Sequence, residues 1–330
     1  MVTISDIAKA TRHSTATVDR VLNNRPGVRE DTRAVILKAA ADLKYARAPA
    51  GGSLDFILPR AGGFMRVLAG HIEAMAAQGE PRRPVNVHFV DYDAPDRIAA
   101  LLESLRDRSA GVGLVALDHV LIREALKGLI RRNLPVVTLL TDISSLPHQG
   151  YIGIDNRLAG RLAGHLTGRF LAVAPARVAL FTGSRAYRGH EEREMGFRSI
   201  VREAFPHLQI PEALEISENE QAGFEAARAL LAEAPDVAAI YNVGAGTAGI
   251  ARALEAVPPA RKPVFVAHDL SHDTRPHLLS GTLDVVIDQN AELTVERALA
   301  RLRSAIGQQM LGVCPVMDAR IIFRDNIPGS

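Results

Sequence analysis

The chain has 330 residues, 47% of them apolar and 23% charged, with a formal net charge of +2. That length carries two or three domains with cores of their own, and the composition excludes both a disordered chain and a membrane-spanning one. No apolar run reaches the roughly 18 residues of a spanning helix, the first residues MVTISDIAKATRH hold no signal-peptide core, and the single cysteine, Cys314, fits a reducing compartment as a small apolar filler. The expectation is a cytoplasmic protein.

Charge is spread unevenly. Residues 1–50 hold nine Lys and Arg against five Asp and Glu, leaving 30 against 32 in the other 280. A basic head on a slightly acidic body points the head toward a polyanion. In the head, Thr3 and Asp6 have capping-box spacing and predict a helix over 4–11. Ser14 can cap a second helix whose Val18, Val21 and Leu22 form its buried face and whose other face carries Thr15, Ala16, Asp19 and Arg20. After the turn cluster Asn23-Asn24-Arg25-Pro26-Gly27, a third helix is expected over 30–44, with Val35, Ile36, Ala39, Ala40 and Leu43 as its apolar positions. Three short helices with a basic, hydroxyl-rich face make a helix-turn-helix unit, its second helix sized for the DNA major groove.

The stretch VTISDIAKATRHSTATVDRVLNNRPGVREDTRAVILKAAADLKY, Val2 to Tyr45, resembles without a gap the N-terminal module of the LacI/GalR (lactose-repressor) family. The resemblance implies that Thr15, Ala16 and Arg20 reach base edges, and that Thr3, Ser5, Ser14, Thr17, Asn23, Thr32 and Tyr45 contact phosphate. The chemistry agrees, since a guanidinium can fork onto guanine, a methyl offers only apolar contact and hydroxyls at helix ends donate to phosphate. Three positions depart from the family pattern. Thr11-Arg12-His13 replaces Ala-Gly-Val, so a residue other than glycine must hold the tight turn. Asp19 replaces a serine on the docking face, and Arg29 stands where a capping serine is common. These changes bear on which operator is read. The family's hinge helix, with its intercalating leucine, has no counterpart in Ala46-Arg47-Ala48-Pro49-Ala50-Gly51-Gly52-Ser53, which predicts a flexible linker over 48–53, less DNA bending and looser coupling of head to body.

From residue 54 onward, short apolar runs (LDFILP, VNVHFVDY, GVGLVAL, PVVTLL, YIGID, RVALFTG, AAIYNV, PVFVAHD, LDVVIDQ) alternate with helical stretches near 64–78, 96–107, 120–132, 157–173, 191–204, 220–233, 246–256 and 272–280. Such alternation builds α/β units with doubly wound parallel sheets, whose ligands bind beyond the strands' C-terminal ends. The order of these segments is similar to the type I periplasmic sugar-binding fold. This implies two lobes, 54–155 with 282–308 and 156–281 with 309–330, joined by three crossings near 155–156, 281–282 and 307–312. Carried over position by position, the ribose-type site implies Phe64 as a stacking aromatic, Arg193 as a donor to ring or hydroxyl oxygens, and Asn242, Asp269 and Gln289 as strand-end groups gripping hydroxyls. Thr141 falls on the lobe-one loop where relatives often have Asp-Arg, and PVVTLLTD has Leu140-Thr141 there instead. That substitution puts a simple pentose in doubt. Tyr187, His190 and His268 are further candidates for the cleft.

Two other functions compete with this reading. Gly244-x-Gly246-x-x-Gly249 follows a strand, opens a helix and has Asp269 25 residues on, close to a dinucleotide fingerprint and thus to an NAD-dependent oxidoreductase. Too little chain follows it for a second nucleotide half and a catalytic domain, so the glycines more simply let the helix pack close to its strand. A sugar-binding protein without operator binding is the other, and the head argues against it. HDLSHD, residues 268–273, has unremarkable ligand spacing and suits helix capping better than a metal. The expectation is a regulator and not an enzyme, free of cofactor and metal: a homodimer with duplex DNA and a small sugar or polyol as partners and no membrane.

Overall fold

The computed structural model describes residues 4–22, 26–43, 52–78, 83–148, 150–171, 175–256, 258, 262–307 and 312–329. Thr3, Asn23, Tyr45 and most of the connector lie outside the described residues.

The head is three helices, α1 (Ile4–Thr11), α2 (Thr15–Leu22) and α3 (Glu30–Asp42). Ile7, Ala8, Val18, Val21, Ile36 and Ala40 form its core. Ser14 caps α2, its Oγ accepting from the Thr17 amide at 3.1 Å, so one orphan N–H of the first turn is satisfied. Arg29, at the N-cap of α3, makes no side-chain cap bond. The apolar face of α3 is narrower than its sequence suggests: Ile36 and Ala40 are buried one turn apart, while Val35 is 51% and Leu43 36% exposed. At about 100° per residue, Val35 cannot share the face of Ile36. Arg12 ends α1 in the left-handed region, with φ +57°, and the His13 amide closes the turn on the Ala8 carbonyl at 3.1 Å.

In the body the elements run β1 (Ser53–Pro59), α4 (Gly62–Gln78), β2 (Val85–Val90), α5 (Pro95–Leu105), β3 (Ser109–Leu114), α6 (Val120–Arg131), β4 (Val136–Leu139), β5 (Tyr151–Ile152) and α7 (Asn156–Phe170). They continue with β6 (Ala176–Thr182), α8 (Arg188–Ala204), β7 (Leu208–Gln209), β8 (Leu214–Glu215), α9 (Glu220–Glu233), β9 (Val237–Asn242), α10 (Thr247–Glu255), β10 (Val264–His268), α11 (Arg275–Ser280), β11 (Val285–Asp288), α12 (Ala291–Ile306) and β12 (Arg320–Ile322). Two sheets result, one in the order β2-β1-β3-β4-β5, the other β12-β11-β10-β9-β6-β7 with β8 also on β6. Among the described residues every strand pairing is parallel except β11 with β12, so the second sheet ends on an antiparallel edge strand. The central strands are buried on both faces, β3 throughout its length, which accounts for their continuous apolar runs.

The crossings correct the expected lobe boundaries. β11 pairs in register with β10, so the second lobe extends through Asp288 and the crossing expected at 281–282 falls at Gln289-Asn290. α12 then packs Val295, Ala298, Leu299 and Leu302 into the core of the first lobe. Met317 bridges to Ile154 beside the first sheet, and β12 belongs to the second, so the last passage lies at Asp318-Ala319, beyond the expected 307–312. Strand membership is a long-range property that LDVVIDQ cannot carry by itself.

Ser53, expected at the end of the linker, is the first residue of β1. The chain is held firmly there: Arg83 donates to the Gly52 carbonyl at 3.0 Å and Ser109 Oγ to that of Ser53 at 3.2 Å. Asp55, 1% exposed, accepts from Ser53 Oγ (2.6 Å) and Asn86 Nδ2 (3.0 Å) and pairs with His88 Nε2 (2.8 Å). Burial alone would raise its pKa; the bonds from His88, Ser53, Asn86 and Ser109 outweigh it and hold the carboxyl below its usual range.

A left-handed non-glycine residue costs roughly 1 kcal/mol. Arg12→Gly is therefore expected to stabilise the head by about 1 kcal/mol. Hydrogen exchange of peptides spanning 4–22 in the full chain checks this: protection should rise about fivefold, and unchanged protection would show that the turn is unstrained.

Candidate functional site

Two adjoining cavities lie between the lobes at the C-terminal ends of the strands. Loops from both sheets converge there because a parallel sheet sends all its strands to one edge. The lobes touch directly around the cavities. The Asp118 amide donates to the Ala186 carbonyl at 3.1 Å, the Gly189 amide to Thr141 Oγ1 at 3.0 Å, and Arg66 pairs with Asp273 at 2.7 Å. The cleft is closed.

Arg193 sits on its floor, 3% exposed. Nε donates to Asn156 Oδ1 at 2.8 Å and an Nη to the Val243 carbonyl at 2.7 Å. Close contact of α7 with α8 puts it there: a Cβ on Gly160 would stand 2.0 Å from the Arg193 carbonyl oxygen, so only glycine lets the helices approach this far. Asn156 also donates to the Leu140 carbonyl of the first lobe at 3.0 Å.

Asp269 follows β10 with φ +69° and accepts from Gln289 Nε2 at 2.9 Å. Protein surrounds it on every side but the cavity. Burial pushes its pKa from 3.8 up to about 6, against the opposing pull of Arg193 and Gln289. Gln289 Oε1 is buried and has no hydrogen-bond partner. Glu218 is 8% exposed and accepts from the Ser184 amide at 2.8 Å and the Ala245 amide at 3.4 Å, with His190 Nδ1 at 3.1 Å. Burial would raise this carboxyl too, but the His190 charge and hydrogen bond and the two amides bring it below its ordinary value. His268, whose Nε2 lies 2.8 Å from the Tyr241 hydroxyl, is held neutral, its pKa lowered by burial and then by the Arg193 charge.

Arg193, Thr141, Asp269 and Gln289 thus meet in the first cavity, with Tyr187 and His190 beside them. Phe64 lines the second cavity while most of its ring is buried in the first lobe's core. Asn242 lines neither. Its Nδ2 is shared among the Gly244 and Ala245 carbonyls and Thr247 Oγ1 at 2.9–3.0 Å, so the residue expected to grip hydroxyls instead holds the loop behind the cavity. Glu218 and Met65 were not legible in the sequence. Glu218 follows a two-residue strand, and the only signal was a carboxylate just after the apolar Ile216. Backbone strain gathers at this site: Leu140, Ser217, Glu218, Asp269 and Asn290 all have positive φ, a clustering common where structure is held for function.

The glycine loop has a structural explanation. Gly246 takes φ +86° at the N-cap of α10. Gly249 makes room for the neighbouring helix α9, not for the strand: its Cβ would lie 1.8 Å from the Glu220 carbonyl oxygen. The Gly249 and Gly246 amides are taken by the Glu220 carboxylate, whose pKa burial raises. A carboxylate therefore occupies the helix N-terminus where a dinucleotide phosphate would sit. HDLSHD does cap the turn that opens α11: Ser271 Oγ accepts from the Asp273 amide at 3.2 Å and the Thr274 amide at 3.3 Å, and Thr274 Oγ1 accepts from the Ser271 amide at 2.9 Å, while Asp273 reaches Arg66 and Asp269 faces the cavity. Among the described residues no group of three or more His, Cys, Asp and Glu could hold a metal ion, and no helix is long and apolar enough to cross a membrane.

On the head, Ser5, Ser14, Thr15, Ala16 and Arg20 are exposed, and Thr17 and Thr32 half-buried.

A helix-turn-helix head joined to a two-lobed binding body defines the class, and comparison with known proteins agrees with it. Residues 3–48 match the model of the bacterial regulatory proteins of the lacI family, and residues 54–309 that of the periplasmic binding protein domain. The chain belongs to the lacI family of regulators, a DNA-binding module followed by a periplasmic-binding-protein body, and is a ligand-controlled DNA-binding regulator. Both matched families are regulatory or binding families. No curated protein matches the chain. Among solved structures, the glucose-galactose binding protein GanP of Geobacillus stearothermophilus is 22% identical with a TM-score of 0.74, covering 84% of this chain and 99% of its own. A solute binding protein of Burkholderia graminis in complex with D-arabinose is 19% identical with a TM-score of 0.77, covering 86% and 99%. One from Agrobacterium vitis with bound D-fucose is 17% identical, also at 0.77, covering 84% and 97%. These likenesses establish the fold.

A carboxyl raised from 3.8 to about 6 costs stability as pH climbs through that window, because the unfolded group ionises freely while the folded one does not. Asp269→Asn removes the cost and suits a left-handed backbone. The variant is expected to be more stable than wild type by about 3 kcal/mol at pH 7.5 and by less than about 1 kcal/mol at pH 4. Denaturant titration at the two pH values tests this, and an equal difference at both would rule out the ionisation cost.

Proposed function

We propose that this protein is a homodimeric transcriptional repressor whose two heads read the half-sites of a near-palindromic operator and whose cleft binds a small sugar or polyol. One observation carries the reading: a head with an exposed row of hydroxyls and Arg20 on α2 shares a chain with a closed cleft into which the second lobe presents Arg193 from α8 and Asp269 and Gln289 from its strand ends. Two-fold symmetry of a dimer imposes two-fold symmetry on its site. In this reading Thr15, Ala16 and Arg20 meet base edges, and Thr3, Ser5, Ser14, Thr17, Asn23, Thr32 and Tyr45 contact phosphates. Arg193 donates to ligand oxygens, Asp269 and Gln289 accept from hydroxyls, Thr141 stands at the lobe-one edge, and Phe64 and Asn242 support the cavity wall. Related proteins of the same fold hold D-arabinose and D-fucose, which supports a carbohydrate-like ligand.

Control follows from closure. A ligand held by both lobes favours the closed form, and to switch operator binding it must prefer one form by a few kcal/mol. The change reaches the head through Gly52 and Ser53, which are bonded to the first lobe.

Selection of duplexes from a random pool by the full chain, followed by affinity measurement, tests the DNA-binding half. Enrichment of an inverted repeat is expected, and Arg20→Ala should weaken binding to it by about 1–3 kcal/mol and relax one base position. A pool with no enriched repeat, or an unchanged affinity in the variant, would remove the assignment.

A further inference from the structure

The cleft is divided by chemistry as well as by topology. Every side chain that the first lobe lends to the first cavity is apolar except Thr141: Pro59, Ala61, Met65, Val115 and Leu140. The Thr141 hydroxyl oxygen already accepts from the Gly189 amide. The first lobe adds only Gly62, Gly63 and Phe64 to the second cavity. Among the described residues, every charged group that lines these two cavities comes from the second lobe, including Arg193, Glu218 and Asp269.

The carboxylate that follows Thr141 in the chain does not make up the difference. Asp142 accepts from Thr138 Oγ1 at 2.7 Å and from the Ile143 amide at 2.9 Å, and pairs with His148 at 3.0 Å. It is committed to its own loop, outside both cavities. Leu140 holds φ +62°, a conformation costly for leucine and easy for aspartate or asparagine. The apolar side chain is therefore present at this position in spite of its backbone.

A fully hydroxylated sugar has polar groups around its whole rim. In this closed cleft, the hydroxyls turned to Val115, Leu140 and Met65 would be stripped of water and given no partner. A ligand with hydroxyls on one side and a methyl or unsubstituted carbon on the other leaves no such group. The geometry points to a deoxy sugar or similarly one-sided polyol as the ligand, its hydroxyls on the second lobe and its deoxy or methyl edge against the first. This assignment rests on the proposed carbohydrate-binding reading of the cleft and narrows it.

Matched pairs decide it. Isothermal titration of the full chain with L-fucose against L-galactose, D-fucose against D-galactose, L-rhamnose against L-mannose and 2-deoxy-D-ribose against D-ribose should show at least one pair whose deoxy member binds ten- to a hundredfold tighter, the range over which an apolar pocket rejects an added hydroxyl. Val115→Thr, nearly isosteric, and Leu140→Asp, suited to the backbone, each place a polar group on the apolar wall and should narrow that ratio severalfold. Equal or tighter binding of the hydroxylated members, or a ratio unmoved in both variants, would overturn the ligand class while leaving the cleft a carbohydrate site. Failure of every sugar to bind would overturn both readings.

Discussion

A guanidinium withdrawn from water on the floor of the cleft is the constraint on which the rest of the site depends. Arg193 retains its charge when buried, and its two hydrogen bonds, to Asn156 and to the Val243 carbonyl, go to neutral groups. Its field opposes the effect of burial at Asp269 and adds to it at His268. The bond to Asn156 extends to the Leu140 carbonyl, so one side chain connects the α7–α8 contact, a crossing between the lobes and the cavity wall. The close packing at Gly160 is a condition of that placement. A side chain there would separate the helices and shift the charge.

Much of this was legible in the sequence. The head's three helices follow from local signals: the Ser14 cap, the spacing of Val18 and Val21, and the need for a left-handed residue at Arg12. The body's strands are visible as apolar runs, and the polar residues ending them mark the cleft because parallel sheets bring strand ends together. What stayed hidden was set by distant partners. Nothing local assigns β11 to the second sheet or sends α12 back to the first. Asn242 and Asp269 both end strands, yet the Asn242 side chain turns into the Gly244 loop while the Asp269 side chain turns to the cavity. Glu218 follows a strand too short to leave a periodic signal.

The connector separates two mechanical regimes. Gly52 and Ser53 are fixed to the first lobe by Arg83, Ser109 and the buried Asp55 cluster, so motion of that lobe is delivered faithfully as far as residue 52. Beyond it, residues 46–51 are Ala, Pro and Gly with one arginine, Arg47, and no leucine. In this account, control acts mainly through the distance between two anchored points in a dimer, with less help from a hinge helix folding on DNA. The division of the cleft into an apolar and a polar wall fits the same scheme, since closing the apolar wall over a ligand requires water to leave and rewards full closure.

The most direct measurement is the operator affinity of the full chain, on a duplex obtained by selection, with and without a saturating sugar ligand, for wild type and Arg193→Ala. The account predicts at least a tenfold change in wild-type affinity and none in the variant, with the two proteins binding the duplex equally when no ligand is present. An undiminished response in Arg193→Ala, or no response in wild type to a ligand shown to bind, would contradict it.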